Sequence, residues 1–378
     1  MRFIRCFQDA LVNDREDQAL MVPKESITSE TVKLPSKRVI FRGIQIFVFF
    51  SLIGFGVGYW WKKPPWPTEI FSELNWQFAV LLLPLIAVDF VIGGMRYRVL
   101  LNGRALPRVS LWNCMRSNWA NIFLGATTPF QTGGGPAQLF ILWRSGVRIS
   151  EGLLTSMVNL AGTLIFFLMS SVVALLLLPD DLFSPRLTTM INGGFAVVIT
   201  VTTLVLIVMF FPRTVLWCLH RCTAGFMTRR LHPAQWGYRF IEKLEGGIDR
   251  FGNAFRYMIR NDRLSLFLVI LLTSILYFNK FTIGYVIIRA LGEHVQYAIL
   301  LGLQCIQLII VYFAPTPGAS GVAELSSVWL LDTILPTELL LVYAVLWRFF
   351  TTILSAIIGG FVLLLSMRRV GLSDRSSH

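Results

Sequence analysis

Long uninterrupted apolar runs constrain this chain more than any other feature of its sequence. Residues 43–60, 76–94, 153–178, 191–211, 264–288 and 340–365 are each close to or above the length of a membrane-crossing helix. A helix needs roughly 20 residues to cross roughly 30 Å of hydrocarbon, because each residue advances it about 1.5 Å. Only 15% of the residues are charged, against about 25% in a typical soluble domain. Buried helices of a soluble core do not explain runs of this length at this density. The chain therefore reads as an all-α polytopic membrane protein with six full spans.

Charge orients those spans. The net charge of +13 comes from 34 Lys and Arg against 21 Asp and Glu. In a soluble protein that excess would suggest nucleic acid. In a membrane chain it fits basic loops retained on the cytoplasmic side, so no nucleic-acid partner is expected. Lys33, Lys37, Arg38 and Arg42 before the first run predict a cytoplasmic N-terminus. Arg96, Arg98, Arg104 and Arg108 bring the second span back to that side, and Met367, Arg368 and Arg369 end the last one there. Residues 1–38 read as a flexible cytoplasmic tail with no signal-peptide core, residues 39–367 as the membrane domain, and residues 368–378 as a second flexible tail. Within the domain, residues 212–263 form a basic loop with aromatic residues, expected to place helices along the inner surface near anionic headgroups. Cys218 and Cys222 flank His220 there, too few ligands to predict a metal site. No metal or cofactor is expected, and without a P-loop no nucleotide hydrolysis.

Two further apolar segments are interrupted. Residues 111–148 carry Pro129, Gly133, Gly134, Gly135 and Pro136, and residues 297–332 carry Pro315, Pro317, Gly318 and Gly321. Irregular backbone at membrane depth is tolerated only against protein or water, so each segment is expected to form a re-entrant hairpin of two half-helices. The helix breaks are placed at Pro129, Gly135 and Pro136 in the first and at Pro315, Pro317 and Gly318 in the second. The breaks echo each other. Thr128-Pro129-Phe130-Gln131-Thr132-Gly133 matches Thr316-Pro317-Gly318-Ala319-Ser320-Gly321 at Thr-Pro, the hydroxyl residue and Gly. Ala137-Gln138 and Ala323-Glu324 follow, shifted by two residues.

On this topology the hairpins enter from opposite faces, the signature of an inverted repeat, and paired interrupted segments mark a transporter's central site. A half-helix N-terminus bares N–H groups and positive dipole, which suits an anionic or polar lipid headgroup. The expected substrate contacts are Thr128, Gln131, Gly133, Gly134 and Gln138 from the first break and Thr316, Ser320, Gly321 and Glu324 from the second. Asp89, Lys280 and Arg348 join them as ionisable residues inside apolar runs, which face a cavity or a partner. Asp89 has Arg348 or Arg96 as possible partners, and Lys280 alternatively snorkels outward. Asn159 and Gln304 read as links between helices.

At these breaks the chain resembles the flippase-like transmembrane domain family of lysylphosphatidylglycerol synthases. The residues that carry the resemblance are Asn121 through Gln138, Pro315 through Glu324, and Arg348; it spans roughly residues 40–366. The resemblance implies transbilayer movement of a phospholipid, hopanoid or polyprenyl-linked lipid in a bacterial inner membrane. It also implies a standalone membrane domain, because no synthase domain follows Arg369. Two other readings stand beside it. One is a scaffold that brings a lipid-modifying enzyme to the cytoplasmic face through residues 212–263. The other is a membrane enzyme using Asp89, Glu324 or His294 as acid–base groups, although no dyad is evident.

Overall fold

The computed structural model describes residues 37–63, 74–178, 185–214 and 235–373, and among these it is helical throughout with no strand. The helices are α1 (Lys37–Lys62), α2 (Trp76–Leu100), α3 (Leu111–Ala126), α4 (Gly134–Arg144), α5 (Ile149–Leu177) and α6 (Pro185–Phe210). They continue as α7 (Gln235–Asn261), α8 (Arg263–Ala290), α9 (Tyr297–Tyr312), α10 (Val322–Leu331), α11 (Thr337–Arg348) and α12 (Leu354–Ser373). Of the tails expected at 1–38 and 368–378, residues 37–38 and 368–373 are helical, and the rest, with the Pro-rich connection at 64–67 and the Cys218–His220–Cys222 cluster, lies outside the described residues.

Among the described residues six helices are long and apolar enough to cross a membrane: α1, α2, α5, α6, α8 and the continuous span Thr337–Ser366. The last one joins α11 to α12 through a single π-turn, Phe349–Ile353. These are the six runs read from the sequence. Local chemistry sets their starts. The Asn75 side chain accepts from the Gln77 N–H at the head of α2, Ser110 accepts from Asn113 at the head of α3, and Glu151 reaches back to the Arg148 N–H at the head of α5. Each satisfies one of the orphan donors of a first turn. Their outer faces are apolar and exposed, as at Leu52, Leu83, Leu176 and Phe361, which suits lipid as the solvent. Trp60, Trp61 and Trp76 are exposed where α1 ends and α2 begins, the place of an interfacial aromatic belt.

The remaining four core helices form two broken hairpins. α3 and α9 have 16 residues each, α4 has 11 and α10 has 10. At about 1.5 Å per residue the longer legs reach about 24 Å and the shorter ones about 16 Å, so no leg crosses the hydrocarbon alone. Gly133 to Gln138 fold back on Asn121 and Ser117 of α3, and Ser327 of α10 folds back on Gln307 of α9. Of the expected break residues, Gly135 and Pro136 do not break anything. They sit in the first turn of α4, where proline is tolerated because its missing N–H would have no partner. The turn itself is Pro129–Gln131, matched by Pro317–Ala319 in the second hairpin.

α2 and α8 pack along each other in antiparallel sense at the centre of the bundle. The Asn75 N–H at the start of α2 donates to the Ala290 carbonyl at the end of α8 at 2.8 Å. At the other end Asn102 donates to Asp262 (3.2 Å) and Ser265 (3.0 Å), at the start of α8. The hairpins open toward opposite ends of this pair. Arg116 of α3 and Arg144 of α4 both bond Ser366, and α3 follows the Asn102 end of α2. The second hairpin follows the Ala290 end of α8, and its Asp332 pairs with Lys62 at 2.6 Å. α3 packs on α12, and α9 packs on α5. The two turns lie near each other, and a Cβ on Gly318 would lie 2.9 Å from the backbone of Ala126, the last residue of α3 before the first turn. α1 runs along the second hairpin, touching it closely where Gly54 meets Gly321.

Candidate functional site

The second break is a closed plug. Pro317, Gly318 and Ala319 are buried, and Ser320 is fully so. Gly318 and Ala319 take left-handed conformations, with φ of 54° and 58°, and Gly321 follows at φ 79°. Such backbone persists only where its surroundings fix it. Here they do. The Ser320 hydroxyl donates to the Pro317 carbonyl at 2.8 Å. The Gly321 N–H donates to Glu324 Oε2 at 2.7 Å, so the carboxylate occupies the positive N-terminus of α10. Arg348 completes the plug from α11. Its Nη2 donates to the Gly318 carbonyl at 2.8 Å, its Nε stands 3.5 Å from Glu324 Oε1, and its guanidinium lies 5.9 Å from the Phe47 ring centre. Arg348 and Glu324 are 2% and 5% exposed. A pair so deep is held by mutual need, because either charge alone would be severely penalised in this setting. The Thr316 hydroxyl beside it has no partner.

The first break repeats the backbone with different surroundings. Phe130 and Gln131 hold the two left-handed positions, with φ of 51° and 56°, immediately after Thr-Pro as in the second. Pro129, Phe130, Gln131 and Thr132 are exposed. The Thr128 hydroxyl donates to the Leu124 carbonyl at 2.7 Å and accepts from the Gly133 N–H at 2.8 Å. The first turn of α4 carries no acidic residue. Gln138 does not face the tip. It is buried one turn deeper, where its Oε1 accepts from Asn121 (2.8 Å) and Tyr97 (3.2 Å) and its Nε2 donates to Ser156 (2.7 Å).

The intramembrane charges form two ion pairs. Sequence reasoning offered Arg348 or Arg96 to Asp89; the structure pairs it with Lys280 at 2.9 Å, across α2 and α8. Lys280 does not snorkel outward: its Nζ also donates to the Thr351 carbonyl at 3.1 Å. Thr351 belongs to the π-turn that directly follows Arg348, so both pairs are attached to one irregular turn. π-turns inside helices recur at functional sites. Apart from Gln138, which is held by Asn121, Tyr97 and Ser156, the expected contacts divide into three groups: Thr316, Ser320, Gly321, Glu324 and Arg348 at the second break; Thr128, Gln131, Gly133 and Gly134 at the first tip; Asp89 and Lys280 between α2 and α8.

The groups offered for acid–base chemistry are separated and engaged. Asp89 holds Lys280, Glu324 holds Arg348, and His294 meets Arg289. Among the described residues no group of three His, Cys, Asp or Glu side chains could hold a metal ion. Gln304 donates to the Tyr343 hydroxyl at 2.9 Å, a helix-to-helix link. Arg96, offered to Asp89 as an alternative partner near the interface, is instead buried within α2, which continues past Gly94 to Leu100. The signal was available: Arg96 follows Asp89 by roughly two helical turns and therefore shares its face.

Comparison with known proteins agrees with this architecture. The family described as the lysylphosphatidylglycerol synthase TM region matches residues 48–359. A UPF0104 membrane protein of Archaeoglobus fulgidus is 22% identical over 294 residues, covering 75% of this chain and 84% of its own length.

Proposed function

The chain belongs to the family of the lysylphosphatidylglycerol synthase TM region, which matches most of its length, and on that premise we propose that it moves an amphipathic lipid between the leaflets. The observation that carries this reading is the close approach of the two break turns, one buried and one exposed. Their hairpins open toward opposite ends of an antiparallel α2–α8 pair. We read the two halves as an inverted repeat, α2 to α5 against α8 to α12. In such repeats substrate sites lie near the midplane between discontinuous helices. The first tip supplies the free half-helix N-terminus; the second supplies a plug that must open.

In this mechanism the polar headgroup travels past the first tip, where the α4 N–H groups and the Gln131 side chain replace its water and Thr128 holds the turn in shape. The acyl chains stay against the apolar outer faces. The Glu324–Arg348 pair closes the path toward the Lys62 end. Separating the pair frees two charges, so opening is costly unless a headgroup takes their place. The π-turn provides the irregular backbone at which α11 can move relative to α12, and Lys280 senses that movement through Thr351. We take its membrane to be a bacterial inner membrane, as the family resemblance implies, with both termini cytoplasmic, a reading supported by the basic clusters flanking the first and last spans. Its cargo is a lipid with an anionic or polar headgroup.

Purified protein in proteoliposomes carrying headgroup-labelled lipids tests this. Acceleration of transbilayer movement is expected for some of phospholipid, hopanoid and polyprenyl-linked probes. No acceleration for any probe, from correctly folded protein with and without an ion gradient, would refute it.

A further inference from the structure

The buried charges of the spans do not cancel. Asp89 with Lys280 and Glu324 with Arg348 are balanced pairs. Arg96, 8% exposed, has no carboxylate partner among the described residues. Its Nη2 donates to the Asn159 carbonyl at 3.0 Å and to the Thr163 hydroxyl at 2.9 Å, and its Nε makes no hydrogen bond. Asn159 and Thr163 lie ten and fourteen residues into α5, about 15–21 Å from its start at about 1.5 Å per residue. The side chain therefore reaches toward the middle of α5 rather than out to an interface.

A second polar atom in the same place is also unused. Asn159, 4% exposed, donates its Nδ2 to the Thr155 carbonyl at 2.9 Å, but its Oδ1 has no partner. An unmatched donor on a cation and an unmatched acceptor on the residue whose backbone carbonyl that cation holds are each costly in a buried site. Together they describe a missing group: an anion that accepts from arginine and carries a hydrogen-bond donor nearby. A phosphate suits guanidinium geometry, which offers parallel N–H donors. A hydroxyl or ammonium next to that phosphate would satisfy Asn159.

We propose that Arg96 and Asn159 form a binding site for the phosphate and adjoining donor of a lipid headgroup. The proposal rests on the lipid-handling reading and adds to it a location and a chemical class. The site is separate from the Glu324–Arg348 plug, on the other side of the α2–α8 seam, against α5. Binding supplies the counter-charge that the spans lack, and access requires α2 and α5 to part.

Thermal unfolding of the purified full chain in detergent tests the site without transport. Four probes are titrated: short-chain phosphatidylglycerol, its phosphatidylmethanol analogue without a headgroup hydroxyl, short-chain diacylglycerol and sodium phosphate. Phosphatidylglycerol is expected to bind tightest and diacylglycerol weakest. Arg96→Gln should weaken phosphatidylglycerol binding about tenfold or more, the size of a lost charge-assisted contact, while Arg96→Lys recovers part of it. Asn159→Leu should remove only the preference over phosphatidylmethanol. Equal binding of phosphatidylglycerol and diacylglycerol by the unmodified protein overturns the proposal, and needs no variant to fold. So does an Arg96→Gln protein that binds phosphatidylglycerol unchanged; continued transport in that protein would leave the lipid-handling reading intact. Sodium phosphate that matches phosphatidylglycerol at equal concentration would assign the site to a free anion and overturn the lipid source.

Discussion

The two break turns share a backbone and little else. Each places two left-handed residues directly after Thr-Pro, Phe130-Gln131 in one and Gly318-Ala319 in the other. The second is buried and neutralised from within: Glu324 holds its helix N-terminus and Arg348 holds both Glu324 and the Gly318 carbonyl. The first is exposed at its tip and has no acid in the first turn of α4. The difference teaches that a half-helix N-terminus is not by itself a receptor for an anion. The fold can satisfy it with its own carboxylate, as it does at the second break. On the function proposed above, the turn left without one is where a headgroup binds.

The largest expected effect lies at the second break. Glu324→Ala leaves Arg348 buried without its partner, and Arg348→Ala does the reverse; each should destabilise the protein by about 3–5 kcal/mol, the range for breaking one side of a buried pair. Thermal melting in detergent reads this. Thr128→Ala and Gln131→Ala, the contacts expected at the other tip, should each cost far less. Equal losses at both breaks would dissolve the distinction. Glu324→Gln separates charge from shape, because an amide can still accept from the Gly321 N–H, and it should therefore cost less than Glu324→Ala.

Next in size is the approach of the second turn to the end of α3. A Cβ on Gly318 would press within 2.9 Å of the Ala126 backbone and 3.0 Å of the Phe47 ring, at a φ of 54° that a side chain disfavours. Overpacking of this kind costs about 1–3 kcal/mol, and the left-handed backbone adds about 1–2 kcal/mol. Gly318→Ala should lower the melting temperature and the yield of monodisperse protein. Gly135→Ala is its control in the first hairpin, since nothing lies within 4 Å of a Cβ there. A Gly318→Ala protein as stable as its parent would mean that Gly318 does not approach Ala126 as described.

How far the sequence reached can be traced along the same contrast. The spans were legible because hydrocarbon demands length, and each of the six apolar runs lies in a membrane-length helix. The broken hairpins were legible because their Gly and Pro are clustered, whereas single ones such as Pro84 are carried inside a span. Gly135 and Pro136 misled, because proline in a first helical turn is chemically quiet, and composition does not say on which side of a turn a proline falls. Charge pairing was the least legible. Asp89 meets Lys280 only because α2 and α8 run antiparallel in one register, and nothing local to either helix specifies that register. For the same reason the sequence could not tell that one break would be sealed by Arg348 and the other left open.

A smaller effect on stability, but a direct one on activity, is expected from giving the first break the acid it lacks. Gly135→Asp puts a carboxylate in the first turn of α4, a position with open space around it. An acid near a helix N-terminus contributes about 0.3–1 kcal/mol, so the melting temperature should hold or rise. Transport of a phosphate-bearing lipid in proteoliposomes should fall about tenfold, the equivalent of about 1.4 kcal/mol of lost headgroup affinity. Gly135→Asn, similar in size but neutral, should transport normally. Unchanged transport by Gly135→Asp would remove the first tip from the headgroup's path.

The smallest expected effect is at Phe130, and it tests why the open turn keeps strained residues that the closed turn replaces by glycine. A non-glycine residue in the left-handed region costs about 1–2 kcal/mol, whereas glycine costs about 0.5–1 kcal/mol in lost chain freedom. Phe130→Gly should therefore change stability by less than about 1 kcal/mol, because the exposed ring loses little packing. Its counterpart Gly318 cannot be exchanged in the other direction, since the Ala126 backbone fills the space a side chain would need. What Phe130 gives in return for its strain is an apolar side chain held at the tip beside the α4 N–H groups, where the glycerol backbone and first acyl carbons of a lipid would follow the headgroup. Transport by Phe130→Gly should then decline for a two-chain lipid while a headgroup analogue with a very short chain is moved as before. An equal decline for both would assign the ring to the turn's shape instead of to the lipid.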